Sequence, residues 1–195
     1  MEKKYGCYLN YWIIVLKEFA NAKASAKVIV FANVTKEMQN DFVRTPPEIT
    51  KALLKYEVFD GDILEPCCGD GAISKVLEEK YEVISSDKFK YGYGEQKDLF
   101  DLWDEYDNII TNPPFTQQQV VKKWLLSITK KKLCLLWYVK NLGNEVETKT
   151  SKNLKNVYVF NKKINWVETK LGWLFAWYVW EKGYEGDITI KRIDF

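Results

Sequence analysis

The sequence contains no histidine in 195 residues. That removes the commonest general base and the commonest metal ligand, so imidazole chemistry is excluded. Cysteine is scarce too: Cys67 and Cys68 are adjacent, while Cys7 and Cys134 stand far from them. No metal-ligand spacing occurs and neighbouring cysteines rarely pair, so a reduced, cytoplasmic chain with no metal is expected. Neither Cys67 nor Cys68 has an adjacent histidine or lysine to make it a thiolate, which argues against a nucleophile. The N-terminal apolar run from Cys7 to Leu16 is interrupted by Asn10 and falls short of the roughly 18 residues a membrane span needs. It loosely resembles a leader peptide, but reads better as a helix packed on the domain. No membrane association is expected. Proline is confined to Pro46, Pro47, Pro66, Pro113 and Pro114, and these mark three short motifs.

What is present is a folded chain with 47% hydrophobic and 15% aromatic residues, long enough for one sizeable core. Its net charge of +2 conceals a division. Residues 51–115 carry seven bases and fifteen acids, a balance of −8, and residues 116–170 carry twelve lysines and three glutamates, a balance of +9. The acidic half suits a cationic ligand. The basic half is either a solvated surface or a footprint for a polyanion.

Taken in order, Lys27 to Val34 reads as a short strand. Phe42 to Pro46 is extended, and Pro47 opens a helix to about Tyr56 with Ile49, Ala52, Leu53 and Tyr56 on one face. Strands are predicted at 62–65, 81–87, 106–111, 133–139, 157–160, 173–180 and 188–190, with helices at 72–79 and 117–131. A connector or short helix covers 100–103, and a polar loop runs from Leu142 to Leu154. Alternating strands and helices imply an α/β fold with a mostly parallel sheet, and the strand-rich end implies antiparallel edge strands. The tryptophans at 137, 166, 173, 177 and 180 and Tyr138 are assigned mainly to the core.

The first strand enters Glu65-Pro66-Cys67-Cys68-Gly69-Asp70-Gly71, a glycine turn leading into a helix. Glycines let such a turn approach a ligand closely. A dinucleotide site would place a third glycine at position 74, where Ser74 stands, and Glu65 and Asp70 would repel a pyrophosphate. Asp87, ending the next strand, is placed to accept ribose hydroxyls, and Asp98, beside Leu99, to hold an adenine amino group. The third motif is Asn112-Pro113-Pro114-Phe115, after the buried run Asn108-Ile109-Ile110. Its prolines end the strand and stiffen the turn, which then presents an amide, carbonyls and an aromatic face to a planar amino group.

In this order the motifs resemble those of class I S-adenosylmethionine-dependent methyltransferases, in particular the N6-adenine DNA methyltransferases. Arg44-Thr45-Pro46-Pro47 resembles the opening cofactor motif, Leu64 to Gly71 the glycine motif, Ser86-Asp87 the ribose motif, Lys97-Asp98-Leu99-Phe100 the adenine-contacting motif, and Asn112-Pro113-Pro114-Phe115 the catalytic motif. The resemblance covers about residues 44–140. It implies a Rossmann-like, mostly parallel twisted sheet flanked by helices, with antiparallel C-terminal strands. It implies S-adenosyl-L-methionine as cofactor, held by Thr45, Pro46, Glu65, Pro66, Cys67, Gly69, Gly71, Asp87, Asp98 and Leu99, and no metal. Asn112, Pro113, Pro114 and Phe115 are then the catalytic residues, acting on a flipped adenine in DNA, with RNA adenine or guanine as the alternative. Glutamine N5 transfer and a silent scaffold subunit are further alternatives; for the former the family usually has Tyr where Phe115 stands. Residues 1–43 are expected to be an extension packed on the core and 44–195 one methyltransferase domain without a target-recognition domain. DNA or RNA would bind through the lysine-rich 116–170 region, with sequence specificity short or supplied by a partner subunit.

Overall fold

A computed structural model of the chain describes residues 42–115, 118–143, 152–164, 166 and 174–195. The expected N-terminal helix, the strand at 27–34 and Trp173 lie outside the described residues, as does most of the polar loop after Leu142.

Among the described residues eight strands form one sheet in the order β3-β2-β1-β4-β5-β7-β6-β8. They are β1 (Ile63–Glu65), β2 (Val83–Asp87), β3 (Glu95–Gln96), β4 (Tyr106–Thr111), β5 (Thr129–Tyr138), β6 (Leu154–Phe160), β7 (Phe175–Glu181) and β8 (Thr189–Ile193). Pairings β1 with β2, β1 with β4, β2 with β3, β4 with β5 and β6 with β8 are parallel. Of these strands only β7 runs against its neighbours, pairing antiparallel with both β5 and β6. The α/β, mostly parallel sheet is as expected from the sequence. The antiparallel strand is not at the edge, however: β7 is inserted between β5 and β6, and the edge beyond β6 is the parallel β8. This explains why β7 is buried at six of its seven positions and shows no alternation, since both of its faces are covered.

Among the described residues the α-helices are α1 (Pro47–Leu54), α2 (Ser74–Leu77) and α3 (Gln118–Ser127). Pro47 fits the first helical position, where a missing N–H costs nothing. Ile49, Ala52 and Leu53 from α1 and Ile73 and Leu77 around α2 pack on one face of the sheet against Ile63, Ile110, Leu136 and Trp177. The Trp177 indole N–H donates to the Ile49 carbonyl at 2.9 Å, pinning α1 to β7. α2 is shorter than the predicted 72–79, although the amides of Lys75, Leu77 and Glu78 still bond four residues back to Gly71, Ile73 and Ser74. α3 ends before the predicted Lys131. The Thr129 hydroxyl donates to the Leu125 carbonyl at 2.7 Å and the Tyr106 amide to that of Ile128 at 2.9 Å, so the chain leaves the helix and joins β4. β3, two exposed polar residues, has no apolar signature and escapes prediction. Among the described residues no helix is long and apolar enough to cross a membrane.

Candidate active site

The parallel strands β1, β2 and β4 all end at one side of the sheet, and the three predicted motifs gather there. Gly69 and Gly71 have φ of +54° and +80°, which L side chains rarely adopt. Both glycines also lie under aromatic rings: a Cβ at Gly69 would fall 2.1 Å from the Phe42 ring, and one at Gly71 would fall 2.5 Å from the Tyr93 ring. Phe42 stacks on Tyr91 with centroids 4.5 Å apart, and Lys75 lies over Tyr93 at 4.8 Å. Phe42 and the loop between β2 and β3 therefore cover the turn. Sequence reasoning did not include those rings.

Glu65 ends β1 with 1% of its surface exposed. Burial pushes its carboxyl well above the usual range, against the opposing bond from Ser74 and helped by Asp87 and Asp70. The Ser74 hydroxyl donates to Glu65 Oε2 and also shares a hydrogen bond with Ser85 Oγ at 2.6 Å. Position 74 thus holds the acid in place where a dinucleotide turn would have glycine. Asp87 Oδ2 accepts from the Gly69 amide and Oδ1 from the Phe89 amide, each at 2.9 Å. Burial raises its pKa, while those amides oppose the rise. Asp87 therefore fixes the glycine turn, and each of its oxygens keeps a lone pair for a hydroxyl. The arrangement is acidic throughout. Asp70 adds a buried Oδ1 with no hydrogen-bond partner among the described residues, while its Oδ2 meets Arg44 at 2.7 Å.

Two of the predicted positions have internal partners for their polar groups. Asp98 caps a 3₁₀ turn, accepting from the Phe100 amide at 3.1 Å, and pairs with Lys88 at 3.0 Å. Leu99 is buried, and its carbonyl accepts from the Trp124 indole at 2.8 Å. Cys67 and Cys68 are not activated: burial raises both thiols, that of Cys68 to about 12. The Cys68 thiol donates to the Tyr93 carbonyl at 3.5 Å. Pro66 is buried at the start of the turn.

Asn112 follows β4 directly. Its amide nitrogen donates to the Thr45 hydroxyl at 3.2 Å and to the Val43 carbonyl at 3.4 Å. Its side-chain oxygen, Oδ1, is buried and has no partner among the described residues. An acceptor left in that state costs about 1–3 kcal/mol unless something donates to it. Pro113 is buried and Pro114 half-buried. The Phe115 ring is half-buried against Tyr138 at 4.9 Å and Phe175 at 5.7 Å, and Trp166 packs on Phe175 at 4.9 Å. Tyr138 ends β5 and Phe175 begins the antiparallel β7, so both reach the Asn112 end of the sheet. Trp137, Trp177 and Trp180 are core, as expected.

The lysine-rich segment is not one surface. Lys122 is fully buried, near the Trp137 and Trp180 rings at 5.6 and 5.9 Å. Lys131 pairs with Asp60 and Asp107, Lys132 with Glu57, and Lys155 with Glu181. Lys131 and Lys132 begin β5 and Lys155 begins β6, at the opposite end of the sheet from Asn112. Lys140, Lys162 and Lys163 are exposed beyond the ends of β5 and β6, on the Asn112 side.

No protein-family model and no curated protein sequence matches the chain. Solved structures do. A Pyrococcus horikoshii protein provisionally described as an RNA methyltransferase superposes with a TM-score of 0.57 at 17% identity, over 72% of this chain and 86% of that one. A Listeria monocytogenes protein, provisionally described as a class I S-adenosylmethionine-dependent methyltransferase, matches at 0.53 and 14%, over 74% and 62%. The modification subunit of a provisionally assigned type I restriction enzyme from Vibrio vulnificus matches at 0.52 and 10%. That match covers 87% of this chain and 52% of the subunit. The fold is that of the class I S-adenosylmethionine-dependent methyltransferases. At these identities the likeness concerns architecture, and the chemistry rests on the residues.

Proposed function

We propose that the chain is an S-adenosylmethionine-dependent methyltransferase acting on the exocyclic N6 amino group of adenine in DNA. The observation that carries this is the buried, unpartnered Oδ1 of Asn112, held facing away from Thr45 and Val43 by the two bonds from its own amide nitrogen. Such an acceptor at the end of β4, followed by a rigid Pro113-Pro114 turn, fits an amino group presented to it. The aromatic neighbours Phe115, Tyr138, Phe175 and Trp166 favour a planar ring over a glutamine side chain as the bearer of that amino group.

The acidic glycine turn fits the cofactor. Glu65, Asp70 and Asp87 suit a ligand carrying a cationic amine and sulfonium, and the orphaned Asp70 Oδ1 is an acceptor for it. Pro46, Pro66, Cys67, Gly69, Gly71, Asp98 and Leu99 complete the proposed cofactor surroundings. Of these, Asp98 and Leu99 already have internal partners for their polar groups. S-adenosylmethionine, when bound, supplies the electrophilic methyl group. Asn112 Oδ1 and the Pro113 carbonyl accept the two N6 hydrogens and draw the nitrogen towards a tetrahedral, more nucleophilic state. Phe115 offers a face to a base taken out of its stack, since N6 cannot otherwise be reached. Methyl transfer leaves N6 cationic and its surplus proton passes to water, so no strong base is required and catalysis is positioning and electrostatics.

Residues 44–195 would then be one catalytic domain. In the basic segment Lys122 is buried and Lys131, Lys132 and Lys155 are held in internal ion pairs, which leaves fewer lysines for a nucleic acid, and selectivity for sequence is short or comes from a partner subunit. The test is tritiated-methyl transfer to DNA, RNA and protein pools with nucleoside analysis, alongside Asn112→Ala. The expected product is N6-methyladenine in DNA, lost in the variant while cofactor binding persists. Label in RNA or in protein glutamine instead, or full turnover by Asn112→Ala, would overturn the reading.

A further inference from the structure

Along Phe42-Val43-Arg44-Thr45 burial alternates, with Val43 and Thr45 buried, Phe42 half-buried and Arg44 exposed, the two-residue period of side chains that point to opposite sides. The contacts follow that period. Phe42 covers Gly69, and Arg44 meets Asp70 at 2.7 Å, so the even positions hold the glycine turn. On the other side Val43 is in the core and Thr45 is 3% exposed. Thr45 Oγ1 and the Val43 carbonyl accept both bonds from the Asn112 amide nitrogen, 67 and 69 residues away in sequence. Pro46 and Pro47 then stiffen the exit into α1.

A side-chain amide has two orientations of similar shape and opposite hydrogen-bonding sense. At Asn112 the strap formed by Phe42–Thr45 decides between them. The Val43 carbonyl can only accept, so the NH₂ must face the strap and the oxygen must face away; the Thr45 hydroxyl accepts the second bond and holds that orientation. We propose that Thr45 is a positioning residue: its hydroxyl fixes the Asn112 amide with Oδ1 presented to the substrate amino group, and the strap ties that orientation to the cofactor turn. This rests on Asn112 being the acceptor of the substrate amine, and it gives Thr45 a role other than touching the cofactor.

Thr45→Val keeps the shape and removes the acceptor, and Thr45→Ser keeps the acceptor. Thr45→Val is expected to lower kcat for methyl transfer by roughly three- to tenfold, the range one hydrogen bond spans. The dissociation constant for S-adenosylmethionine should stay within about twofold, and Thr45→Ser should restore most of kcat. A second readout needs no turnover. In ¹⁵N NMR of the full chain, the Asn112 side-chain amide protons should exchange with solvent several-fold faster in Thr45→Val than in wild type or Thr45→Ser. Unchanged exchange and unchanged kcat in a folded Thr45→Val would overturn the proposal. So would a loss of cofactor affinity matching the loss of rate, which would return the hydroxyl to the cofactor. If wild type methylates nothing, the functional reading fails separately, and the exchange measurement still decides the role of Thr45.

Discussion

Replacing Glu65 by glutamine separates the charge of this side chain from its shape. In the folded chain Glu65 is 1% exposed at the end of β1, with the Ser74 hydroxyl on Oε2 and Asp70 and Asp87 nearby. Burial raises its pKa well above the ordinary range, so the folded state holds the proton more tightly than the unfolded chain does. The stability Glu65 contributes is therefore fully present below about pH 4.3, the ordinary value for glutamate, and is lost progressively as the pH rises to its folded-state pKa. Each unit of elevation is about 1.4 kcal/mol, and for a chain of this length 1 kcal/mol moves Tm by about 2–4 °C. The substituted glutamine keeps an oxygen for Ser74 and carries no charge to bury. The measurement is Tm for both proteins from pH 4.5 to 9. Glu65→Gln should match wild type near the acid end and exceed it increasingly towards neutral pH. Asp87, also raised, titrates in both proteins and largely cancels in the difference. A gap that stays constant with pH, or a variant less stable throughout, would refute the argument. On the proposed function the gain should be accompanied by weaker S-adenosylmethionine binding, because the charge that strains the fold is the one that suits the cation.

At the opposite end of the sheet, Glu57→Ala should cost about 3–5 kcal/mol, seen as a lower urea midpoint at unchanged slope. The 4%-exposed carboxylate accepts from Lys132, Asn156 and Tyr158 at 2.6, 2.8 and 2.7 Å, tying the end of α1 to β5 and β6; a loss under about 1 kcal/mol would mean those groups find other partners. On the proposed function, duplex DNA binding should fall with salt at a slope of about −3 in the double-logarithmic plot, because Lys140, Lys162 and Lys163 lie on the Asn112 side. A slope steeper than about −6 would show that the internally paired lysines are recruited after all.

The sequence made legible what short stretches decide. The proline at the first turn of α1, the two left-handed glycines and the rigid exit of β4 are local consequences of residue type, and all three stand where they were expected. Pairing order is different. β7 carries Phe175-Ala176-Trp177-Tyr178-Val179-Trp180, a continuous apolar run that signals burial on both faces but not which neighbours bury it. Its insertion between β5 and β6 depends on contacts far back along the chain, such as Trp180 with Leu133, 47 residues earlier. The acids show the same limit at the site. A carboxylate ending a strand reads as an open acceptor, whereas Asp87 and Asp98 are partly engaged by the amides of Gly69, Phe89 and Phe100, and amide direction is not written in side-chain pattern. Ser74 was visible as a departure from a glycine spacing, and its use became visible only beside Glu65. The lysine segment shows the reverse case. A balance of +9 describes a stretch of chain, but strands β5 and β6 carry Lys131, Lys132 and Lys155 to the end of the sheet remote from Asn112, where Asp60 and Glu57 from the preceding half and Glu181 from β7 receive them. Part of the charge division that suggested a cofactor half and a polyanion half is therefore the fold neutralising itself. Lys140, Lys162 and Lys163, exposed beyond the ends of β5 and β6, stand on the Asn112 side of the sheet, where the proposed function would need a phosphate backbone to pass.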